Sequence, residues 1–327
     1  MSSTSSAARS TAPGPDASPS AATHQGVGAT DAGLVLMATI WGVNYSVVKA
    51  GLQAMTPLSF TGVRMLLAAV VLFVIALLLR EARWPNRHDV GRLLALGLLG
   101  NGFYQLLFIS GMARTRAGVA ALIVAAGPAW IAIVSRLLGR ERVSRLGWAG
   151  IGLQLVGVLC VVGSTQGFDG GDEGLLGAVL IASGSMAWAV YSVLLQPFTQ
   201  RATALHLSAI TLLSGALMMG LVGLPDMLRL DWGAVSLTGW GAVLYSALGA
   251  MVLGYMLFYR GVRVLGPTKT AMYGNLQPII AIVVAWIMLH EQPTGWQLLG
   301  AGFIMAGLLV SRTAKVRPAP EALEEAA

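Results

Sequence analysis

The stretch "GPAWIAIVSRLLGRERVSRLGWAGIGLQLVG" (127–157) decides the fold, because the chain carries its pattern twice. "QPIIAIVVAWIMLHEQPTGWQLLGAGFIMAG" (277–307) has the same punctuation 150 positions later. The order Pro–x12–Glu–x8–Gly–x–Gly–x4–Gly places Pro128, Glu141, Gly150, Gly152 and Gly157 on Pro278, Glu291, Gly300, Gly302 and Gly307. The same shift sets Leu107, Phe108 and Gly111 on Leu257, Phe258 and Gly261. Nearer the start of each half, a shift of 147 sets Trp41 on Trp188. Single Leu or Gly matches arise by chance in apolar sequence. The ordered Pro–Glu–Gly pattern marks an internal repeat.

Composition says what is repeated. Of 327 residues, 56% are hydrophobic and 11% charged, against about 25% charged in soluble domains. Apolar runs of about 20 residues recur throughout, each long enough to cross a bilayer as a helix. Too little polar sequence remains to cover a soluble core. The expected fold is an all-α membrane protein of ten transmembrane helices, near 33–52, 57–79, 91–112, 117–138, 146–164, 174–195, 204–224, 237–259, 267–289 and 295–312. Five spans per half is an odd number, so the second copy enters the membrane upside down. Two inverted five-helix repeats are a secondary-transporter plan, in which half-sized units rock about a site near the midplane.

The repeats are read as 32–165 and 173–313. Residues 1–31, rich in Ser, Thr, Ala, Pro and Gly, read as a disordered cytoplasmic tail. Residues 314–327 read as a cytoplasmic C-terminal tail. No apolar h-region precedes the first span, so a cleaved signal peptide is not expected. Orientation follows from loop Lys and Arg. With the N-terminus inside, 16 basic residues fall in the cytoplasm and 4 outside (Lys49, Arg114, Arg116, Arg229), with Arg64 in the membrane. Both termini are therefore expected inside, with the acidic loop "FDGGDEG" (168–174) outside. The net charge of +7 sits in short interspan loops, which argues against nucleic acid as a partner. Arg (18) outnumbers Lys (3), a bias of GC-rich bacterial genomes, so the bacterial inner membrane is the expected location. Cys160 is the single cysteine, so no intramolecular disulfide forms.

Helical periodicity shows where polar residues point. In "WGVNYSVVK" (41–49), Trp41, Asn44, Tyr45 and Lys49 fall on one stripe with an apolar back. Span 6 repeats the stripe with Trp188, Tyr191 and Ser192, beside Ser185 and Gln196. Span 3 gathers Asn101, Tyr104, Gln105 and Phe108 into one arc. Span 8 aligns Met251, Tyr255 and Tyr259, and span 9 aligns Thr270, Tyr273 and Gln277. Polar residues inside a membrane face protein or a watery cavity. They either line a solute pathway through spans 1, 3, 4, 6, 8 and 9 or bond between helices. The pathway is the reading favoured here.

Other residues keep alternatives. Lys49, at the outer end of span 1, is an entrance charge or an interfacial anchor. Arg64 either snorkels along its stem, caps helix carbonyls, or draws an anion toward the cavity as an entrance or gate residue. Pro128 and Pro278 each remove a mid-helix hydrogen bond, giving a static kink or a hinge. Glu141 and Glu291 serve a gate or, as the favoured reading, pair with Arg140, Arg142 or His290 in interfacial water. Spans 5 and 10 are Gly-dense and read as scaffold.

Some chemistries are missing. No carboxylate is expected in a span interior, which argues against direct proton coupling of that kind. There is no Walker A, H-E-x-x-H or G-x-S-x-G sequence. His24, His88, His206 and His290 are scattered. No enzyme activity, metal or cofactor is expected. The partners are a small-molecule substrate and the lipid bilayer; monomer and homodimer both stay open.

The sequence resembles the EamA family of the drug/metabolite transporter superfamily. The resemblance is carried by "IWGVNYSVVKAGL", "FTGVRMLLAAVVL" and "GPAWIAIVSRLLGRERVSRLGWAGIGLQLVGVLCVVG" in the first half, and by "MAWAVYSVLLQP" and "NLQPIIAIVVAWIMLHEQPTGWQLLGAGFIMAGLLV" in the second. It covers residues 33–312. It implies ten helices as inverted repeats, a central cavity lined by spans 1, 3, 4, 6, 8 and 9, and peripheral spans 5 and 10. It implies a carrier of small metabolites, often an exporter of amino acids and related compounds. A multidrug exporter of the same fold is the alternative. The basic "RLLGRERVSR" after span 4 departs from the family pattern.

Overall fold

Inside a membrane no water is available to the backbone, so each spanning segment must close its own hydrogen bonds. In the computed structural model the apolar runs are accordingly helical. It describes residues 20–78, 84–163, 172–274, 276–313 and 317–318, of which 20–27, 141–142, 267–268, 312–313 and 317–318 are described by backbone alone. Parts of three readings lie outside the described residues: the 1–19 tail, loop residues 168–171 and most of the C-terminal tail. The loop cations Arg9, Arg80, Arg83 and Lys315 lie outside them too.

Among the described residues, nine helices are long and apolar enough to cross a membrane. They are α1 (Gly28–Gly51), α2 (Pro57–Leu78), α3 (Arg87–Arg114), α4 (Ala117–Leu137), α5 (Arg145–Gly163), α6 (Asp172–Gln200), α7 (Ala204–Arg229), α8 (Leu237–Leu265) and α9 (Lys269–Leu289). A tenth apolar helix is α10 (Gly295–Thr313), whose stretch described with side chains, Gly295–Ser311, is shorter than these spans. The helix containing α1 starts back at Ser20, within the stretch expected to be a loose tail. Two-residue strands, Glu141–Arg142 and Arg317–Pro318, pair antiparallel.

The packing is reciprocal. α1 lies against α8 and α9, while α6 lies against α3 and α4. α2 packs on α7 and α5 on α10. The α5–α10 seam shows why the repeated glycines are spaced as they are. Seven residues make two helical turns, so Gly150 and Gly157 share one face of α5 and Gly152 turns away from it. A Cβ added at Gly157 would stand 2.6 Å from the Gly300 carbonyl oxygen, and one at Gly150 would stand 2.6 Å from that of Gly307. The reverse contacts are equally tight, while a Cβ at Gly152 or Gly302 would meet nothing within 4 Å. Lipid tails are as apolar as Leu, so backbone approach and dispersion hold this seam rather than burial from water. Outward-facing Leu159, Leu221, Trp286, Ile287 and Leu309 are all more than half exposed, as suits a hydrocarbon solvent.

α6 ends in a 3-10 turn, Gln196–Gln200, and four other spans depart from a regular α-helix within their length. α3 and α8 each contain a π-helical stretch, Leu98–Phe103 and Tyr245–Leu253. α4 is two half-helices, Ala117–Ala125 and Gly127–Leu137, broken at Ala126 (φ −76°, ψ 5°). The α9 region is likewise Pro267–Tyr273 and Leu276–Leu289, with a turn at Gly274. This corrects the reading of the two prolines. Pro128 and Pro278 do not interrupt a helix; each lies in the first turn of a second half-helix. There the backbone N–H has no intrahelical partner to lose.

Gly157→Ala is expected to destabilise the protein by about 1–3 kcal/mol through overpacking, and Gly152→Ala to leave stability unchanged or raised. Thermal denaturation of the purified variants checks this. Equal midpoints would mean that α5 and α10 do not meet in this register.

Candidate functional site

The irregular turns and the conspicuous aromatics meet. In the π turn of α8, the Gly254 N–H reaches back five residues to the Gly249 carbonyl. The Ala250 carbonyl, four residues back, loses its usual donor, and Trp41 Nε1 donates to it at 2.8 Å. Gly254 makes room for the indole: a Cβ there would lie 2.4 Å from Trp41 Nε1. The π turn of α3 has the matching relation to α6. Tyr104 N–H bonds Leu99 O, and a Cβ at Gly100 would strike the Tyr191 ring at 2.2 Å.

These contacts flank a cavity holding about 990 Å³ of non-atom space, counting its mouth. Its walls come from α1, α3, α4, α6, α8 and the α9 region, with one residue, Arg64, from α2. The aromatic wall is built on Trp41 and Trp188, the two residues related by the internal repeat. Their rings meet edge-to-face at 6.3 Å (84°). Trp188 packs on Tyr104 at 5.1 Å and on Phe258 at 5.5 Å. Tyr255 stands edge-on to Trp41 at 6.0 Å, and Tyr45 to Phe108 at 5.9 Å. The breaks in α4 and α9 bring Ala125, Gly127, Pro128 and Gly274 to the cavity.

The polar wall is a short chain. Arg64 Nη2 donates to Gln105 Oε1 at 3.0 Å, and Gln105 Nε2 donates to the Tyr255 hydroxyl at 3.4 Å. Arg64 is 1% exposed. This rules out snorkelling: the side chain points inward from α2, over the Phe60 ring at 5.2 Å.

Of the residues picked from the sequence, Trp41, Asn44, Tyr45, Tyr104, Gln105, Trp188, Tyr255 and Gln277 line the cavity, as do Arg64 and Pro128. Asn44 also accepts from Ser246 Oγ at 2.6 Å, tying α1 to α8. Asn101, Tyr191, Ser192, Tyr273, Lys49 and Pro278 are not among its lining residues. Tyr191 is fully buried and bonds the Tyr259 hydroxyl and Thr211 Oγ1, with Asn101 beside this group. Ser192 bonds back to the Trp188 carbonyl at 2.8 Å, which satisfies it locally. The Tyr273 hydroxyl donates to Asp31 Oδ1 at 2.6 Å. Lys49 occupies the last turn of α1, where a cation suits the helix dipole.

Other lining residues include Met37, Phe108, Ser185, Met251, Phe258 and Thr270. Most share a stripe with a residue picked from the sequence, so periodicity carried that signal. The Asp31–Tyr273 bond had no such signal, because it needs the fold to bring α1 beside α9. Glu291 differs from its favoured reading as well. It accepts from the backbone N–H groups of Ala117 and Gly118, each at 3.3 Å. It thereby satisfies two of the N–H groups that a helix start leaves open and docks the end of α9 on the start of α4. The Glu141 side chain lies outside the described residues.

The family of EamA-like transporters matches this sequence twice, over residues 29–163 and 175–313. The chain belongs to the EamA-like transporter family. This EamA-like chain, an integral membrane transporter, is similar to several curated proteins. "Uncharacterized transporter YyaM" of Bacillus subtilis is 26% identical, over 83% of this chain and 89% of the relative. "Probable amino-acid metabolite efflux pump" of Salmonella typhimurium is 28% identical, over 86% and 96%. "Uncharacterized inner membrane transporter YedA" of Escherichia coli K12 is 28% identical, over 83% and 86%. A solved crystal structure aligns with a TM-score of 0.63 at 18% identity, over 86% of this chain and 95% of its own. At that identity the likeness shows the fold alone.

For this EamA-like transporter the Trp41 contact has a measurable weight. Trp41→Phe keeps a ring but strands the Ala250 carbonyl. The expected loss is about 1–3 kcal/mol, the cost of an unsatisfied buried polar group. Trp188→Phe removes an indole N–H that bonds no carbonyl among the described residues, and is expected to cost less. Thermal denaturation of the two variants checks the order, and the reverse order would refute the role given to the π turn.

Proposed function

We propose that this transporter carries a small polar metabolite, an amino acid or related compound, out of the cell across the bacterial inner membrane by alternating access. The observation that carries this reading is the cavity, walled by residues from both halves of the chain and centred on Trp41 and Trp188. In this reading the ten helices form two inverted five-helix repeats, 32–165 and 173–313, with both termini in the cytoplasm. The reciprocal packing supports it: α1 on α8 and α9 mirrors α6 on α3 and α4. The two matches of the family over 29–163 and 175–313 support it too. The cargo class is supported by the Salmonella relative, whose name is that of an amino-acid metabolite efflux pump. Relatives named as transporters favour a carrier over an enzyme.

The mechanism follows from the irregular helices. A continuous α-helix resists bending because every turn is hydrogen-bonded. The breaks at Ala126 and Gly274 remove that resistance beside the cavity, one in each half. They are the hinges of this proposal, with Pro128 and Pro278 fixing the start of each following half-helix. Rocking about them opens the cavity to one side and then the other, as in inverted-repeat carriers. The described lining includes no carboxylate, which favours facilitated transport or exchange over proton coupling through a wall residue.

A multidrug exporter is the second reading, favoured by the aromatic wall together with Met37 and Met251. The single full charge among the described lining residues is positive, which disfavours cationic drugs.

Counterflow in proteoliposomes discriminates. Labelled amino acids are expected to accumulate against an internal unlabelled pool. Trp188→Ala is expected to slow this about tenfold, the equivalent of about 1.4 kcal/mol of aromatic contact. Ser208→Ala, in α7 away from the cavity, should match the parent. Movement of hydrophobic dyes with no metabolite counterflow would make the exporter of drugs the correct reading.

A further inference from the structure

Arg64 is a buried cation. A guanidinium stays charged inside proteins, and burying a charge costs several kcal/mol unless it is paired. Arg64 is 1% exposed. The described ion pairs, Arg114–Glu173 and Arg201–Asp89, do not involve it. Its partners among the described residues are the neutral Gln105 amide and the Phe60 face. The Nε–H is buried with no acceptor among the described residues. Yet the side chain forms part of the cavity wall.

The hydrogen-bond directions sharpen this. Arginine only donates, so Gln105 must turn its oxygen to Arg64 and its NH₂ to Tyr255. The Tyr255 hydroxyl then accepts from Gln105 and keeps its own proton to donate. Tyr255 also lines the cavity. The chain Arg64–Gln105–Tyr255 thus presents a positive charge and an oriented O–H donor, and no acceptor on this wall uses them up. Opposite them are aromatic faces that suit an apolar body.

We propose that Arg64 and the Tyr255 hydroxyl form an anion subsite and that the cargo of this carrier bears a carboxylate. Gln105 is the positioning residue that holds the two donors in register. A carboxylate matches the single charge and the planar fork of the guanidinium. This rests on the carrier reading above and narrows it: cargo that carries no anionic group is excluded, whereas zwitterions and acids are admitted.

The test uses the full-length purified protein and compounds that share one carbon skeleton. Leucine, 4-methylpentanoate, leucinamide and 3-methylbutylamine differ in which charged groups they keep, and the alanine and tryptophan analogues extend the set. Inorganic phosphate is a separate arm. Binding is read by thermal midpoint and by the fluorescence of the cavity tryptophans. Acids and amino acids are expected to raise the midpoint, while the amides, amines and phosphate are not. Arg64→Gln should weaken acid binding at least tenfold, Arg64→Lys less, and Tyr255→Phe by a few-fold. Without ligand, Arg64→Gln should raise the midpoint, because it removes an unpaired buried charge; a purely structural Arg64 predicts a fall. Amides binding as well as acids, acid binding unchanged in Arg64→Gln, or no acid binding in any series would each overturn the subsite. So would preferential binding of phosphate. Counterflow keeps the two ideas separate. Acid binding without flux would sink the carrier and keep the subsite. Flux of amines or dyes that Arg64→Gln leaves untouched would do the opposite.

Discussion

A backbone amide or carbonyl inside a membrane has to find its partner in protein. That constraint shapes the rest of this structure. A regular helix meets it alone, and most of the chain is regular helix. Each departure needs an outside partner or a cavity to face, and the departures gather around the cavity. The π turn of α8 gives up its bond to the Ala250 carbonyl, and Trp41 takes that bond. The start of α4 leaves N–H groups open, and the Glu291 carboxylate takes two of them from the end of α9. Each such bond joins the two halves of the chain, one at a π turn and the other at a helix start.

The glycines serve the same end by a different route. Without a hydrophobic drive between helices in lipid, contact depends on how closely backbones approach. Gly150 and Gly157 meet Gly307 and Gly300 across the α5–α10 seam, well away from the cavity wall. Gly254 and Gly100 instead give way to rings, admitting Trp41 and Tyr191 against the two π turns. One residue type therefore builds a tight peripheral seam and makes room for the aromatic wall.

Much of the site could be read along the chain. Trp41 and Trp188, equivalent by internal repetition, meet in space. Stripes through Asn44, Tyr45, Tyr104, Gln105, Tyr255 and Gln277 led to lining residues. The failures have physical causes. A projection at 100° per residue assumes an unbroken helix, and π turns or breaks change which residues share a face. Asn101 lies within the π turn of α3 and parts company with Tyr104 and Gln105, with which a regular helix would align it. Tyr273, in the same half-helix as the lining residue Thr270, turns instead to Asp31 on α1. A stripe also has no depth: Tyr191 and Ser192 are inward-facing yet bond to hydroxyls and a carbonyl behind the wall.

The sequence by itself determined the solvent, the spans and the repeat, because these depend on the number and spacing of apolar residues. It fixed Pro–Glu–Gly punctuation at equal places in the two halves, and so the seam glycines. Only the tertiary structure decided what the polar residues do. Whether Arg64 reaches for water or for a cavity, whether Glu291 pairs with a cation or caps a helix, and whether Tyr255 keeps a proton to donate all depend on what stands opposite. Those partners lie on other helices, 174 residues away for Glu291 and Ala117, just as Tyr273 meets Asp31 across 242 residues. Side-chain hydrogen bonds act over about 3 Å, a distance that no reading along the chain can measure.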